Sequence, residues 1–325
     1  MADSKKWKSK LLSSSLPLEY EVAKILVSKG FSVSADYTYS RNDTGLHKDF
    51  SVDISAIAFP PFSNEHKISS QVELLVECKY RDENVKWLFL PDPNKPDYSH
   101  FTIGNTIRII DQFSSSFINS TKPAQKFDDL FEYAYKATEM RLGESPSVYD
   151  SEIKHGLMQL QYALPALFND RISFGNHVDD IEPIFICPIL VTSADLILLN
   201  SKNSVSTIYS ADTINDLGKS VPYILLYHDY GPDFRNHCQN VFADFADLED
   251  LPIIVELEEM RKKSNDKFYD FEYPSNFGKS LSLATRYLLN KYFTQIIICN
   301  INAFPALIDN LKKAISDMNR SIRKI

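Results

Sequence analysis

A chain of 325 residues with 44% apolar and 24% charged side chains suits one large domain or two modest ones, and it excludes intrinsic disorder, collagen and low-complexity fibre. Asp and Glu total 43 against 35 Lys and Arg, a net charge of −8, so a nucleic-acid protein of this composition must make local phosphate contacts in place of a broad basic face. No apolar run approaches the roughly 18 residues of a membrane span, and Cys78, Cys187, Cys238 and Cys299 show no CxxC spacing, which predicts a soluble, cytoplasmic protein with reduced core thiols.

Lys5, Lys6, Lys8 and Lys10 give the start a basic character, suited to solvation or to reaching phosphates. Behind Pro17, Leu18, Val22, Ile25 and Leu26 recur at helical spacing until Gly30. Phe31, Val33, Ala35, Tyr37 and Tyr39 then alternate as a strand. After the turn-like Arg41 to Gly45, Phe50, Val52, Ile54, Ala56 and Ala58 form a second strand, stopped by Pro60-Pro61. A third runs through Val72, Leu74, Val76, Cys78 and Tyr80.

Residues 82–150 read as a helical insertion: Trp87 to Leu90, a proline-rich 91–96, and two helices near 102–118 and 127–142. A helix from Ser151 to Phe168 carries Ile153, Leu157, Leu160 and Leu164 on one face, and Pro165 is expected to kink or end it. Apolar strands follow at 184–191, 195–199, 223–227, 253–257 and 295–300, with helices near 278–292 and 304–322. The expected organisation is an α/β core over 1–200, holding the insertion, and an α/β C-terminal extension over 201–325 with no assigned role.

Strand alternation singles out one constellation. The apolar set Phe50, Val52, Ile54 and Ala56 sends Asp53 to the opposite face, and Val76 and Cys78 do the same to Glu77 and Lys79. If the two strands pair antiparallel through residues 60–70, the carboxylates come within reach of one divalent cation, with Lys79 about 7 Å along the strand from Glu77. Hydrolysing a phosphodiester requires a hard cation held by oxygen ligands, and an ammonium beside it offsets charge on the nucleophile or the phosphate.

The run Leu18-Glu19-Tyr20-Glu21 ahead of Lys29-Gly30-Phe31, followed by Val52-Asp53-Ile54 and Val76-Glu77-Cys78-Lys79, resembles the PD-(D/E)XK nuclease superfamily in its Mrr-like or Holliday-junction-resolvase-like branch. The resemblance implies a restriction-endonuclease-like mixed sheet flanked by helices, and an Mg²⁺-dependent endonuclease, with Mn²⁺ as substitute, acting on DNA in bacterial defence or repair. It also implies Asp53, Glu77 and the Cys78 carbonyl as metal ligands, Lys79 as the stabilising cation, Glu19 in preference to Glu21 as the helix acid, Gln159 as a polar contribution from the later helix, and a homodimer if both strands are cut. Val52 stands where the family's name has proline. An RNA endonuclease, and a nuclease-like scaffold that binds a partner protein without catalysis, are the alternatives.

Other residues have plainer readings. Arg81, beside Tyr80, suits either a phosphate contact or surface charge. His228, Asp229, Asp233 and His237 match no metal spacing, Cys238 lacks the surroundings of a thiol nucleophile, and neither a P-loop nor GxGxxG occurs.

Overall fold

The computed structural model describes residues 3–43, 45–62, 67–93, 106–111, 116–118, 120, 122–175, 182–245, 259 and 279–324. Helices α1 (Asp3–Ser13) and α2 (Leu16–Ser28) open the chain. Gly30 takes φ 88°, the left-handed conformation that closes a helix, and the Phe31 N–H returns to the Leu26 carbonyl at 3.1 Å. Strand β1 (Ser32–Asp43) pairs antiparallel with β2 (Leu46–Ala58), and β2 pairs antiparallel with β3 (Gln71–Lys79). Behind α1, which the sequence reading did not anticipate, the helix, strand, strand, strand order is as predicted, and β2 and β3 pair antiparallel as the site requires.

The segment expected to be a helical insertion is mostly strand. It supplies β4 (Val85–Pro91), β5 (Arg108–Ile110), β6 (Ser116–Ile118), the short helix α3 (Lys122–Asp128), β7 (Glu132–Arg141) and β8 (Ser147–Tyr149). The helices predicted near 102–118 and 127–142 are therefore incorrect among the described residues. Strand β7 lies between β4 and β12 (Tyr223–Tyr227), and hydrogen bonding on both edges outweighs the weak local helical pattern. Helix α4 (Ser151–Gly175) continues past Pro165, so the proline, expected to kink or end the helix, does not end it. Leu164, Leu167 and Phe168 are fully packed around that point, so burial on both sides holds the helix together.

The remaining elements are β9 (Ile184–Thr192), β10 (Asp195–Leu199), α5 (Val205–Ser210), β11 (Gly218–Val221), β12, α6 (Pro232–Val241), α7 (Arg286–Phe293), β13 (Gln295–Asn300), α8 (Phe304–Asn319) and β14 (Ile322–Lys324). The helix predicted near 278–292 is interrupted: residues 279–282 are helical, a turn in which Ala284 takes φ 46° follows, and α7 begins at Arg286. Helix α8 stops at Asn319 because Ile322–Lys324 pairs with β6. The strand predicted at 253–257 lies outside the described residues.

One large mixed sheet has the order β1-β2-β3-β9-β13-β12-β7-β4-β10-β11, with β5 beside β9 and β8 beside β7. Strands β11, β12 and β13, from beyond residue 200, belong to it as fully as β3 and β9 do. Two apolar clusters cover its faces: α4, α6 and α7 contribute to one, and α2, α3 and α8 to the other. The fold is accordingly α/β, with the sheet between two helical layers. Central strands β9 and β13 are buried at every position, as strands covered on both faces must be, which explains their unbroken apolar runs. Among the described residues no helix is long and apolar enough to cross a membrane.

Candidate metal and phosphate site

The site forms where β2, β3 and the first turns of α4 meet. Ile54 pairs with Val76, which puts Asp53 one position beyond the last bridged rung of β2 and Glu77 one beyond it on β3. Instead of pairing with backbone, the Cys78 N–H donates to Asp53 Oδ2 at 2.7 Å, and the Asp53 N–H reaches Glu77 Oε2 at 3.4 Å. Lys79 Nζ donates to Glu77 Oε1 and, at 3.2 Å, to Gln159 Oε1, while Gln159 Nε2 donates to the Ser51 carbonyl at 2.9 Å. Asp53, Glu77, Lys79 and Gln159 are thus joined in one network.

The predicted single apolar face of β2 is not what is found. Phe50 and Val52 pack with the cluster that includes α4, whereas Ile54, Ala56 and Ala58 pack with the opposite cluster. The change of side falls at Asp53, opposite Asp36, whose φ of 57° departs from strand geometry, and neither residue is bridged in the ladder between Ala35–Ile54 and Tyr37–Val52.

Neighbouring elements fix the end of β3. Thr192 Oγ1 donates to the Lys79 carbonyl at 2.8 Å, and Ser193 Oγ accepts from the Arg81 N–H at 2.6 Å and donates to the Arg81 carbonyl at 2.7 Å. Ser15 Oγ, just before α2, accepts from the Tyr80 N–H at 3.1 Å and so holds the helix bearing Glu19 against this strand end. Helix α4 comes close because position 156 is glycine: a Cβ there would lie 2.9 Å from Leu190 Cδ1 and 3.3 Å from Lys79 Cε.

Burial shapes the electrostatics. The Glu77 side chain is fully buried, and desolvation pushes its carboxyl up to about 8 although Lys79 opposes the shift; Asp53 adds like-charge repulsion. Burial also raises Asp53, against the Cys78 N–H and Lys79, with Asp36 adding to the rise. Glu19 is raised by burial first, then by the charges of Asp53 and Asp36, which identifies it as the α2 acid whose field the site shares. Glu21 is exposed on the helix surface.

A divalent cation fits the donor set in one manner. Among the described residues no group of three or more His, Cys, Asp or Glu side chains is arranged to hold a metal. Among the described residues, Asp53 Oδ1 accepts no hydrogen bond and Glu77 Oε2 accepts only the long Asp53 N–H contact. Two carboxylate oxygens, completed by waters and substrate phosphate, make a donor set of the kind Mg²⁺ takes. The Cys78 carbonyl lies on the same strand edge as its N–H, toward Asp53, while its side chain is buried in the opposite cluster.

Sequence reading missed His155 and Glu152. With Gln159 they occupy i, i+3 and i+7 positions of α4, a spacing that marks a shared helix face. His155 is held toward its neutral form by desolvation and by Lys79. Arg81 is engaged within the protein: Nε pairs with Glu139 at 2.6 Å, Nη2 lies 2.9 Å from Glu152, and Nη1 donates to the Tyr80 carbonyl at 2.6 Å. Lys6, Lys8 and Lys10 lie exposed on α1, and the Lys5 side chain is outside the described residues.

The polar segment after β12 is built for support, and Asp233, His237 and Cys238 sit on helix α6 within it. Asp233 accepts from the Tyr162 hydroxyl at 2.6 Å, His237 Nε2 meets the Tyr162 carbonyl at 3.0 Å, and the His228 N–H donates to the Thr294 carbonyl at 2.7 Å. Cys238 is buried, which pushes its thiol well above the usual range. No family model, no curated protein and no solved structure matches the chain.

Proposed function

We propose that the protein is a divalent-metal-dependent endonuclease that hydrolyses phosphodiester bonds in DNA, in the manner that its resemblance to the PD-(D/E)XK superfamily implies. The observation that carries this reading is the joining of Asp53, Glu77, Lys79 and Gln159 into one partly buried network at the end of β3. Asp53 and Glu77 would hold Mg²⁺, or Mn²⁺ in its place, with help from the Cys78 carbonyl. Such an ion lowers the pKa of a bound water and offsets charge on phosphoryl oxygens.

The chain's own residues do the rest. Lys79 carries the positive charge that balances the developing phosphorane, and Gln159 positions its ammonium group from α4. Glu19 contributes a carboxylate from α2 that orients water. Holding both acids in a poorly solvated recess keeps their protons on to higher pH than in water, so uptake of a cation there would release protons. Four free, buried thiols suit a reducing cytoplasm. If both strands of a duplex are cut, the resemblance implies a homodimer.

The test is plasmid nicking and linearisation in Mg²⁺ by the wild type, Asp53→Asn and Lys79→Ala, with matched RNA as competitor. Loss of about 100-fold or more in each variant at unchanged melting temperature is expected. Equal cleavage by all three refutes the site, and preferential cleavage of RNA moves the substrate to the ribonucleic class. A catalytically silent scaffold for a partner protein is the second reading, favoured by the Lys79–Glu77 ion pair that fills the site; it predicts no carboxylate-dependent Mg²⁺ uptake by calorimetry.

A further inference from the structure

Away from this network, the tip of the β1–β2 hairpin and helix α6 line a solvent-open cavity of about 500 Å³. Its hairpin wall includes Ser40, Arg41, Asn42 and His47, and its helix wall includes Asn236 and His237. The Arg41 guanidinium lies between two aromatic faces, 4.7 Å from the Phe50 ring centroid and 4.3 Å from that of Tyr162. Among the described residues no hydrogen bond or ion pair reaches it, and its Nε is buried without a partner.

A guanidinium offers five N–H donors in a planar fork, and leaving them unused in a partly desolvated place costs free energy unless something else accepts them. The rings fix the plane of the group and stabilise its charge without consuming any donor. The acid in the cavity wall, Asp233, is turned to the Tyr162 hydroxyl and not to Arg41. Amide and hydroxyl groups of Ser40, Asn42 and Asn236 supply further hydrogen-bonding capacity around the same space. A preformed, unpaired cation with polar walls is a receptor for an oxyanion, and phosphoryl groups match the Arg fork in charge and geometry.

We infer that the Arg41 cavity is a phosphoryl-binding pocket, filled either by a backbone phosphate of a polynucleotide or by the phosphate of a small nucleotide. The polynucleotide source rests on the proposed nuclease activity; the phosphoryl chemistry does not. Arg41 pairs with Lys48 across the hairpin, five positions from Asp53, or roughly 17 Å at 3.4 Å per residue. Phe50, which packs on Arg41, belongs to the cluster on the α4 side of the sheet, where Glu77 and Lys79 meet Gln159. One strand of nucleic acid can therefore reach both places. The volume also accommodates a mononucleotide.

The test measures binding in EDTA, where no cleavage intervenes, using inorganic phosphate, AMP and fluorescein-labelled single- and double-stranded 20-mers. Arg41→Gln is expected to weaken the occupying ligand at least tenfold, and for the polymer to reduce the slope of log affinity against log salt by about one. His47→Glu, an exposed change that leaves the core untouched, is expected to weaken it similarly by placing a carboxylate at the cavity wall. Weakened 20-mer binding identifies the polymer as the source, and weakened phosphate and AMP binding alone identifies the small nucleotide; both support the pocket. Unchanged binding of all four probes in both folded variants overturns it. Asp53→Asn should leave EDTA binding at the Arg41 pocket intact, so failure of the nuclease reading and failure of the pocket give different results.

Discussion

Glu77 shows how much a single buried side chain governs this site. The unfolded chain releases its proton near 4.5 and the folded protein near 8, so the folded state binds more protons throughout that interval. This group's contribution to metal-free stability is therefore full below the lower value and declines as pH rises toward the upper one. Glu77→Gln removes the decline: in EDTA its melting temperature should match the wild type near pH 4.5 and exceed it at pH 8, by on the order of a few kcal/mol in stability. Parallel melting curves for the two proteins across that range would contradict the burial argument. At Gly156, alanine adds about 1 kcal/mol of helix propensity but intrudes on Leu190 and Lys79, an overpacking worth roughly 1–3 kcal/mol. Gly156→Ala should thus change the melting temperature little while lowering cleavage about tenfold or more through displacement of Lys79; wild-type cleavage would show that α4 does not constrain the lysine. Glu77 and Lys79 were legible because Val72, Leu74, Val76 and Cys78 recur at every second position of β3, with Leu75 the one apolar residue of the other face. His155 was hidden because a lone histidine on a helix carries no pattern of its own, and Arg41 because its meaning depends on two rings from distant segments.

At the scale of elements, α4 divides its two glutamines between separate tasks. Gln159 reaches Lys79, whereas Gln161 Nε2 donates to the carbonyls of His228 at 3.1 Å and Phe293 at 3.3 Å, tying the helix to the ends of β12 and α7. Gln161→Leu leaves those carbonyls unpaired and should cost about 2–4 kcal/mol in denaturant unfolding, with cleavage retained at low temperature. Gln159→Leu should do the reverse, and equal stability loss in the two would erase the distinction. Elements marked by one period, α2 and β3, or by an unbroken apolar run, β9 and β13, were read correctly from the sequence. The stretch from Glu132 to Arg141 was misread because its membership of the sheet is decided by β4 and β12, which hydrogen-bond to its two edges and leave no local trace. The change of side at Asp53 was equally illegible, since burial still alternates along β2 while the layer being contacted changes.

For the molecule as a whole, the decisive feature is a continuous sheet in which β13 lies between β9 and β12. Removing residues 201–325 strips the partner from one edge of β9 and uncovers the apolar surface that α7 and α8 protect. A 1–200 fragment should consequently lack cooperative unfolding and aggregate, as followed by circular dichroism and light scattering; a cooperative, soluble fragment would establish the N-terminal part as autonomous. The same integration explains how an acidic protein can place a lysine and two carboxylates with accuracy, since every strand behind the site is pinned on both sides. The most direct measurement is an anomalous-scattering map from crystals soaked in Mn²⁺. The account predicts one strong peak between the carboxylates of Asp53 and Glu77, lost in Asp53→Asn crystals; a map with no peak there, from crystals that diffract equally well, would contradict it.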